Sequence, residues 1–237
     1  PFEPGYYNES YLDRRITARM RRRDTESHAE YERILREDAD ERQALMDALT
    51  INVTEFFRNP EMWDVLRDVL RERTANQRRV RVWSAPSADG REPYSVAMLA
   101  CDDPDIDESR VEVLGSDISE EALENAREGV YHTTRTTDIA EELEPLSDPD
   151  AYVERDEDTF RVRPAVQRLV DFETHDLIRD GARDPFDVVL CRNLLIYIDV
   201  DHKAALFDTL EASLADDGVL VLGMTESVPP DRSDRYE

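Results

Sequence analysis

The sequence predicts an α/β chain: a small all-helical unit, then an open, doubly wound parallel sheet that carries a small antiparallel insertion. Three observations predict it. From about residue 78 onward, apolar strand-like runs alternate with helical patterns, the signature of βαβ units. Before residue 50 the apolar residues recur only at helical spacing. Between 133 and 172 the alternation breaks into short strand-like pieces with tight connections.

Taken in order, Leu12, Ile16 and Met20 mark one helix, Tyr31, Ile34 and Leu35 a second, and Leu45 and Leu49 a third. Asp24 or Thr25 is placed to cap the second and Asp40 the third. Residues 1–50 therefore read as a helical N-terminal domain. Residues 51–75 read as a connector, closed by Asn59-Pro60, and a linking helix with Trp63, Leu66, Val69 and Leu70 on one face. Residues 76–237 hold the sheet. Strands are expected at 80–83, 111–114, 186–191 and 219–223, the last after the turn Asp216-Asp217-Gly218. Helices are expected at 93–101, at 119–127 with Ser119 as cap, and at 201–214. Short strands at 152–154, 159–162 and 169–172 make up the insertion.

Composition limits the function classes. The chain has 237 residues, a net charge of −26 and a single lysine, Lys203. Such a surface repels nucleic acid and anionic membrane, so neither is an expected partner. Acidity together with lysine depletion predicts a protein adapted to a salt-rich cytoplasm, where charges are screened over about 3 Å at 1 M salt; the alternative is an ordinary solvated acidic surface. Cys101 and Cys191 read as small core residues and not as a disulfide. The four histidines have no ligand spacing, so no metal site is expected. No apolar run approaches membrane-spanning length and no signal peptide is visible, which reads as a cytoplasmic protein, taken to be a monomer. The chain opens on Pro1-Phe2 without an initiator methionine, which reads as a trimmed start.

Four segments carry the chemistry: 51–58 (INVTEFFR), 82–98 (VWSAPSADGREPYSVAM), 113–119 (VLGSDIS) and 186–198 (FDVVLCRNLLIYI). The last three look like buried strands that end in polar residues, and ligands of open α/β sheets bind at those ends. The loop after the first strand holds one glycine, Gly90. It lacks the G-x-G-x-x-G that lets backbone approach a pyrophosphate. A cofactor without phosphates fits better. S-adenosylmethionine has none, and Glu92 is placed to hold its cationic amino group; an ordinary polar strand-to-helix loop is the equal alternative. Asp117 ends the second strand, where an acid accepts from both ribose hydroxyls. Its alternative role, capping the next helix, already suits Ser119. At least one of Phe56 and Phe57 reads as core, but Asn52, Thr54 and Arg58 are threaded among them and need partners in a ligand or another domain. Arg192 and Asn193 end the third strand, with Tyr197 able to turn back toward the crevice; a helix start capped by asparagine is the alternative.

Together, Asn52-Val53-Thr54-Glu55-Phe56-Phe57-Arg58, Gly90-Arg91-Glu92-Pro93-Tyr94-Ser95, Gly115-Ser116-Asp117-Ile118-Ser119, Cys191-Arg192-Asn193 with Ile196-Tyr197, and Gly223-Met224-Thr225-Glu226-Ser227 resemble the CheR-type chemotaxis-receptor glutamate methyltransferases, nearly end to end. The resemblance implies a Rossmann-like class I methyltransferase sheet with an antiparallel last strand, packed against the helical domain. It implies S-adenosylmethionine as donor, S-adenosylhomocysteine as product, and glutamates in the cytoplasmic domain of methyl-accepting chemotaxis receptors as acceptors. Carried over by position, the cofactor contacts are Asn52, Thr54, Arg58, Glu92, Asp117, Asp176, Leu177, Arg192 and Asn193, with Arg58 and Tyr197 nearest the transferred methyl. Three departures stand out: the Pro86-Ser87-Ala88-Asp89 loop, Arg91 in place of a usual glutamate, and Asp176 in place of a usual asparagine.

Arginines crowd the first helix of this otherwise acidic chain, and Arg14, Arg21 and Arg22 fall opposite its apolar face. They are the expected receptor-docking residues, and the insertion at 133–172 is the second candidate. A non-catalytic module that binds the cofactor would not need Arg58 and Tyr197 together. A small-molecule methyltransferase would not need the arginine-rich helix.

Overall fold

The computed structural model describes residues 3–49 and 54–236. Three helices come first: α1 (Glu9–Arg22), α2 (His28–Glu37) and α3 (Ala39–Leu49). Their caps are local side chains. The Tyr11 amide donates to Asn8 (2.8 Å), that of Glu30 to Ser27 (3.2 Å) and that of Glu41 to Asp38 (3.0 Å). Asp24, Thr25 and Asp40 do not cap, contrary to the sequence reading. Asp24 sits in a left-handed turn at φ 51, and the Thr25 hydroxyl donates to the Met20 carbonyl (3.1 Å). One buried acid holds the three helices together: Arg19 donates two hydrogen bonds to Glu41 (3.0 and 2.6 Å) and the Tyr31 hydroxyl a third (2.7 Å).

Helix α4 (Pro60–Asn76) follows the connector, with Pro60 at its start, and buries Trp63, Leu66 and Leu70. Then come β1 (Val80–Ser84), α5 (Arg91–Asp102), β2 (Val111–Asp117), α6 (Glu120–Glu128), β3 (Val130–His132), α7 (Ile139–Glu142), β4 (Val153–Asp156), β5 (Thr159–Val162), α8 (Pro164–Gln167), β6 (Val170–Thr174), β7 (Phe186–Cys191), α9 (Val200–Ala212) and β8 (Leu214–Leu222).

The main sheet has the order β6-β2-β1-β7-β8, and every pairing in it is parallel. Both faces are covered, which is why β1 and β7 read as unbroken apolar runs. Val82, Val188 and Leu190 join a core with Leu66, Leu70 and Leu99 on one face. Their sequence neighbours Trp83, Val189 and Cys191 join Leu206, Phe207 and Leu210 on the other, as the two-residue period of a strand requires. Chain order reverses at β1, which has β2 on one side and β7 on the other. That switch point puts a crevice at the carboxyl ends of these strands.

Three expectations need correction. Residues 169–172 do not belong to the insertion; β6 is the edge strand of the main sheet, parallel to β2. Its Phe172 lies over Gly115, where a Cβ would come within 2.7 Å of the ring. The third strand of the small antiparallel sheet, ordered β3-β5-β4, is Val130–His132 instead. The last strand among the described residues, β8, pairs parallel with β7, where the resemblance had implied an antiparallel last strand. The Asp216-Asp217-Gly218 turn lies inside it as a register shift. Helix α5 begins at Arg91, so Glu92 stands in a first helical turn and not in the preceding loop.

Candidate functional site

Asp117 anchors the site from the end of β2. Its carboxylate accepts the backbone N–H of Ala88 and that of Ser119, one on each oxygen, both at 2.9 Å. Ala88 reaches it through a left-handed conformation at φ 47, after a cis Ala85–Pro86 peptide. Burial raises the Asp117 carboxyl above its ordinary value, opposed by these N–H bonds. A carboxylate has about four lone-pair positions, so each oxygen keeps room for one more donor.

Glu92 approaches the same crevice from the first turn of α5, where the helix dipole favours an anion. The residue before the helix is Gly90, whose φ of 89 and lack of a Cβ let Ala126 sit close; an added Cβ would lie 2.7 Å from that methyl. Glu92 does not stand alone, as the sequence reading had it. One oxygen accepts from the Ser84 hydroxyl (2.8 Å), the other from Arg192 (2.8 Å), in a buried ion pair. Arg192 also donates to the Arg58 carbonyl (3.0 Å) and the Asn59 side chain (2.7 Å). It thereby ties the end of β7, α5 and the connector into one unit. Its Nε is buried with no partner among the described residues.

The connector is held on both sides. The Phe57 amide donates to the Ser95 hydroxyl (3.0 Å) and the Phe56 amide to Glu142 of α7 (2.9 Å). Phe56 and Phe57 are both buried, and Phe57 packs edge-on against Trp63 at 5.2 Å between ring centroids. Arg91, the departure noted above, is absorbed here. It pairs with Asp89 (3.0 Å) and Glu142 (3.3 Å) and stands outside the crevice lining.

On the far wall, Asp176 turns the chain, its carboxylate accepting the amides of Ile178 (2.9 Å) and Arg179 (3.2 Å). Leu177 is buried beside it. His175 donates its amide to the Asp117 carbonyl (3.1 Å) and accepts from Arg183 at Nδ1 (3.2 Å). Burial, then the Arg183 charge, lowers its pKa and keeps the ring neutral. Asn193 sits at φ 59 and donates its amide to Glu226 (2.8 Å). Glu226 also accepts from Gly223 (2.8 Å) and Ile196 (3.3 Å), so one carboxylate shapes the whole turn after β7.

One cleft is thus lined by Thr54, Arg58, Glu92, Asp117, Asp176, Leu177, Arg192 and Asn193. Asn52 lies outside the described residues. Tyr197 is not in the lining: its ring packs on Tyr11 of α1 at 4.8 Å between centroids, and its carbonyl accepts the Asn8 amide (2.9 Å). Sequence reasoning missed two contributors. Glu226 sat in a quoted motif without a role. Glu3, Tyr6 and Tyr7 line the cleft from the segment before α1, where no spacing pointed to it. Arg14, Arg21 and Arg22 are exposed on α1. Among the described residues no group of potential ligands forms a metal site, and no helix is long and apolar enough to cross a membrane.

Comparison with known proteins points the same way. Residues 52–237 match the family model described as CheR methyltransferase, SAM binding domain, and residues 4–50 match its all-alpha domain. The chain is 30% identical over 224 residues to a chemotaxis protein methyltransferase of Listeria monocytogenes, a match that covers 94% of this chain and 83% of that protein. It is 34% identical over 197 residues to chemotaxis protein methyltransferase 1 of Vibrio cholerae, covering 80% and 70% of the two chains. Against a chemotaxis protein methyltransferase of Escherichia coli it is 35% identical over 193 residues, covering 78% and 64%.

Proposed function

The chain belongs to the CheR methyltransferase family, and we propose that its cleft methylates glutamate side chains of chemotaxis receptors. It is an S-adenosylmethionine-dependent methyltransferase, and S-adenosylhomocysteine is the product. The observation that carries the assignment of roles is the convergence of Asp117, Asp176 and the Glu92–Arg192 pair on one cleft, with Arg58 beside them.

The donor set fits the cofactor. Asp117 keeps one open acceptor position on each oxygen, which suits a ribose diol. Glu92 retains acceptor capacity for a charged amine. Leu177, Ile118 and Pro86 offer an apolar seat to a base. Bound there, S-adenosylmethionine would supply an electrophilic sulfonium methyl for transfer to a carboxylate oxygen, with the neutral thioether S-adenosylhomocysteine as leaving group and no proton to move. The acceptor, with a pKa of about 4.3, is already ionised at neutral pH, so the chain needs no general base. Its task is alignment and exclusion of water. Arg58 is assigned to orient the acceptor carboxylate. Too tight a pair would stabilise the ground state, so a contact through a neighbouring acceptor group serves better. Tyr197 is assigned to hold the turn after β7 in shape against α1.

For docking we assign Arg14, Arg21 and Arg22. None of the three is in an ion pair among the described residues, whereas Arg19 and Arg23 of the same stretch are engaged by Glu41 and Asp38. An exposed basic face not neutralised by ion pairs complements a glutamate-bearing helix. The same reading makes the protein a cytoplasmic monomer adapted to high salt. Labelled S-adenosylmethionine incubated with receptor-bearing membranes tests the function. The expected outcome is base-labile label on the receptor band, as carboxyl methyl esters; base-stable label would overturn it.

A further inference from the structure

The segment Glu3–Asn8, which precedes the first long helix, is laid across the cleft. Tyr7 forms an isolated antiparallel bridge with Ile198. The Asp199 amide donates to the Tyr6 carbonyl (2.8 Å) and the Asn8 amide to the Tyr197 carbonyl (2.9 Å). Arg179, three residues past Asp176, donates to the Tyr6 hydroxyl (2.8 Å) and to Glu3 (2.9 Å). The Tyr6 ring meets His202 edge-on at 4.7 Å. These ties hold the segment against both walls, β6–β7 on one side and the turn before α9 on the other. Tyr7 lines the interior, packed against the apolar cluster of Leu177 and Ile198. Burial raises its phenol pKa, and the charges of Asp117, then Asp176, add to the shift. The hydroxyl therefore stays protonated, a donor close to two acids placed for the nucleoside.

We propose that Tyr7 is a cofactor-contacting residue and that Glu3–Asn8 is a strap over the nucleoside half of S-adenosylmethionine, which must release for the cofactor to exchange. The proposal rests on the cofactor reading above. It makes the helical domain part of the cofactor site. A tyrosine suits the place because its ring buries apolar surface against the base while its hydroxyl keeps a polar partner. The strap's outer ties, Arg179 to Tyr6 and Glu3, are solvent-accessible and polar, the kind of contact that breaks and reforms readily.

Calorimetry and stopped-flow binding of S-adenosylhomocysteine to the full chain test it, with Asp117→Ala as comparator. Tyr7→Ala should weaken affinity by about tenfold or more, the equivalent of one good contact. Tyr7→Phe should lose less and show it as faster dissociation. Arg179→Ala, which frees the strap, should raise association and dissociation rates together and move affinity little. A Tyr7→Ala protein that melts cooperatively and binds within twofold of wild type overturns the proposal. If Tyr7→Ala does not fold, Tyr7→Phe decides: an unchanged dissociation rate overturns it. Failure of the wild-type chain to bind S-adenosylhomocysteine overturns instead the reading on which it rests, as would Asp117→Ala binding like wild type.

Discussion

Glu226 shows how much one side chain can fix. Its two oxygens gather the amides of Gly223, Asn193 and Ile196, and Gly223 has no room for a Cβ because that carboxylate would sit 2.5 Å away. Replacing it by alanine leaves partly buried N–H groups without acceptors, each costing about 1–3 kcal/mol. Glu226→Ala should therefore lower the melting temperature and cut kcat more than it raises KM for the cofactor, because the turn it holds carries Asn193 and Tyr197. A variant with wild-type kcat and only a changed KM would contradict this role. At this scale the sequence was informative wherever a side chain ends a buried strand: Asp117 and Arg192 were legible because strand ends point into the crevice. Glu226 was not, since its partners are backbone amides 3 to 33 residues away and a backbone amide leaves no trace in the residue types. Tyr7 was hidden for a related reason, as its bridge partner Ile198 lies far along the chain in the turn before α9.

Elements were legible in proportion to how fully they are buried. β1 and β7, covered on both faces, read correctly; β6 did not, because an edge strand with one exposed face looks the same in a main sheet as in a small one. What separated them was Phe172 fitting over Gly115, a contact between distant residues. The helical domain also shows a polar core where the periodicity promised only apolar faces. Glu41 is held below the usual carboxylate range chiefly by the Arg19 hydrogen bonds, against the pull of burial. In the unfolded chain the same carboxyl titrates near its ordinary value of about 4.3. Over the window below that value the unfolded state binds more protons, so stability rises with pH there and is lost as pH falls through the depressed folded value. Thermal melts of wild type and Glu41→Gln from pH 7 to pH 3 should converge on acidification, the variant being less stable at neutrality but flatter toward acid. Parallel curves would mean that the Glu41 carboxyl contributes no pH-dependent stability. On the exposed surface of α1, replacing Arg14, Arg21 and Arg22 together by glutamate should sharply reduce receptor methylation and leave cofactor affinity unchanged. If methylation survives in a folded triple variant, the insertion becomes the better docking surface.

At the scale of the whole molecule, charge dominates. A net charge of −26 on 237 residues makes the compact state self-repelling. Screening reaches over about 30 Å at 10 mM salt but contracts to about 3 Å at 1 M. The melting temperature should fall steadily as salt is diluted from molar to tens of millimolar, and a flat profile would remove the case for adaptation to high salt. For the proposed docking, long-range attraction to a receptor would vanish in high salt and leave close arginine–carboxylate contacts to do the selecting.

The small three-stranded sheet and its short helix look like an accessory that could be cut away to leave a minimal enzyme. The Glu142 bridge argues otherwise. That carboxylate, on α7, is the acceptor for the Phe56 amide and for Arg91, while Tyr131 of β3 donates to the Asp89 carbonyl. Trimming the lobe would strip support from the connector and from the loop after β1 at once. A shortened version would need another acceptor at that spot to keep these ties, so the lobe is better regarded as scaffolding of the sheet domain than as a detachable module.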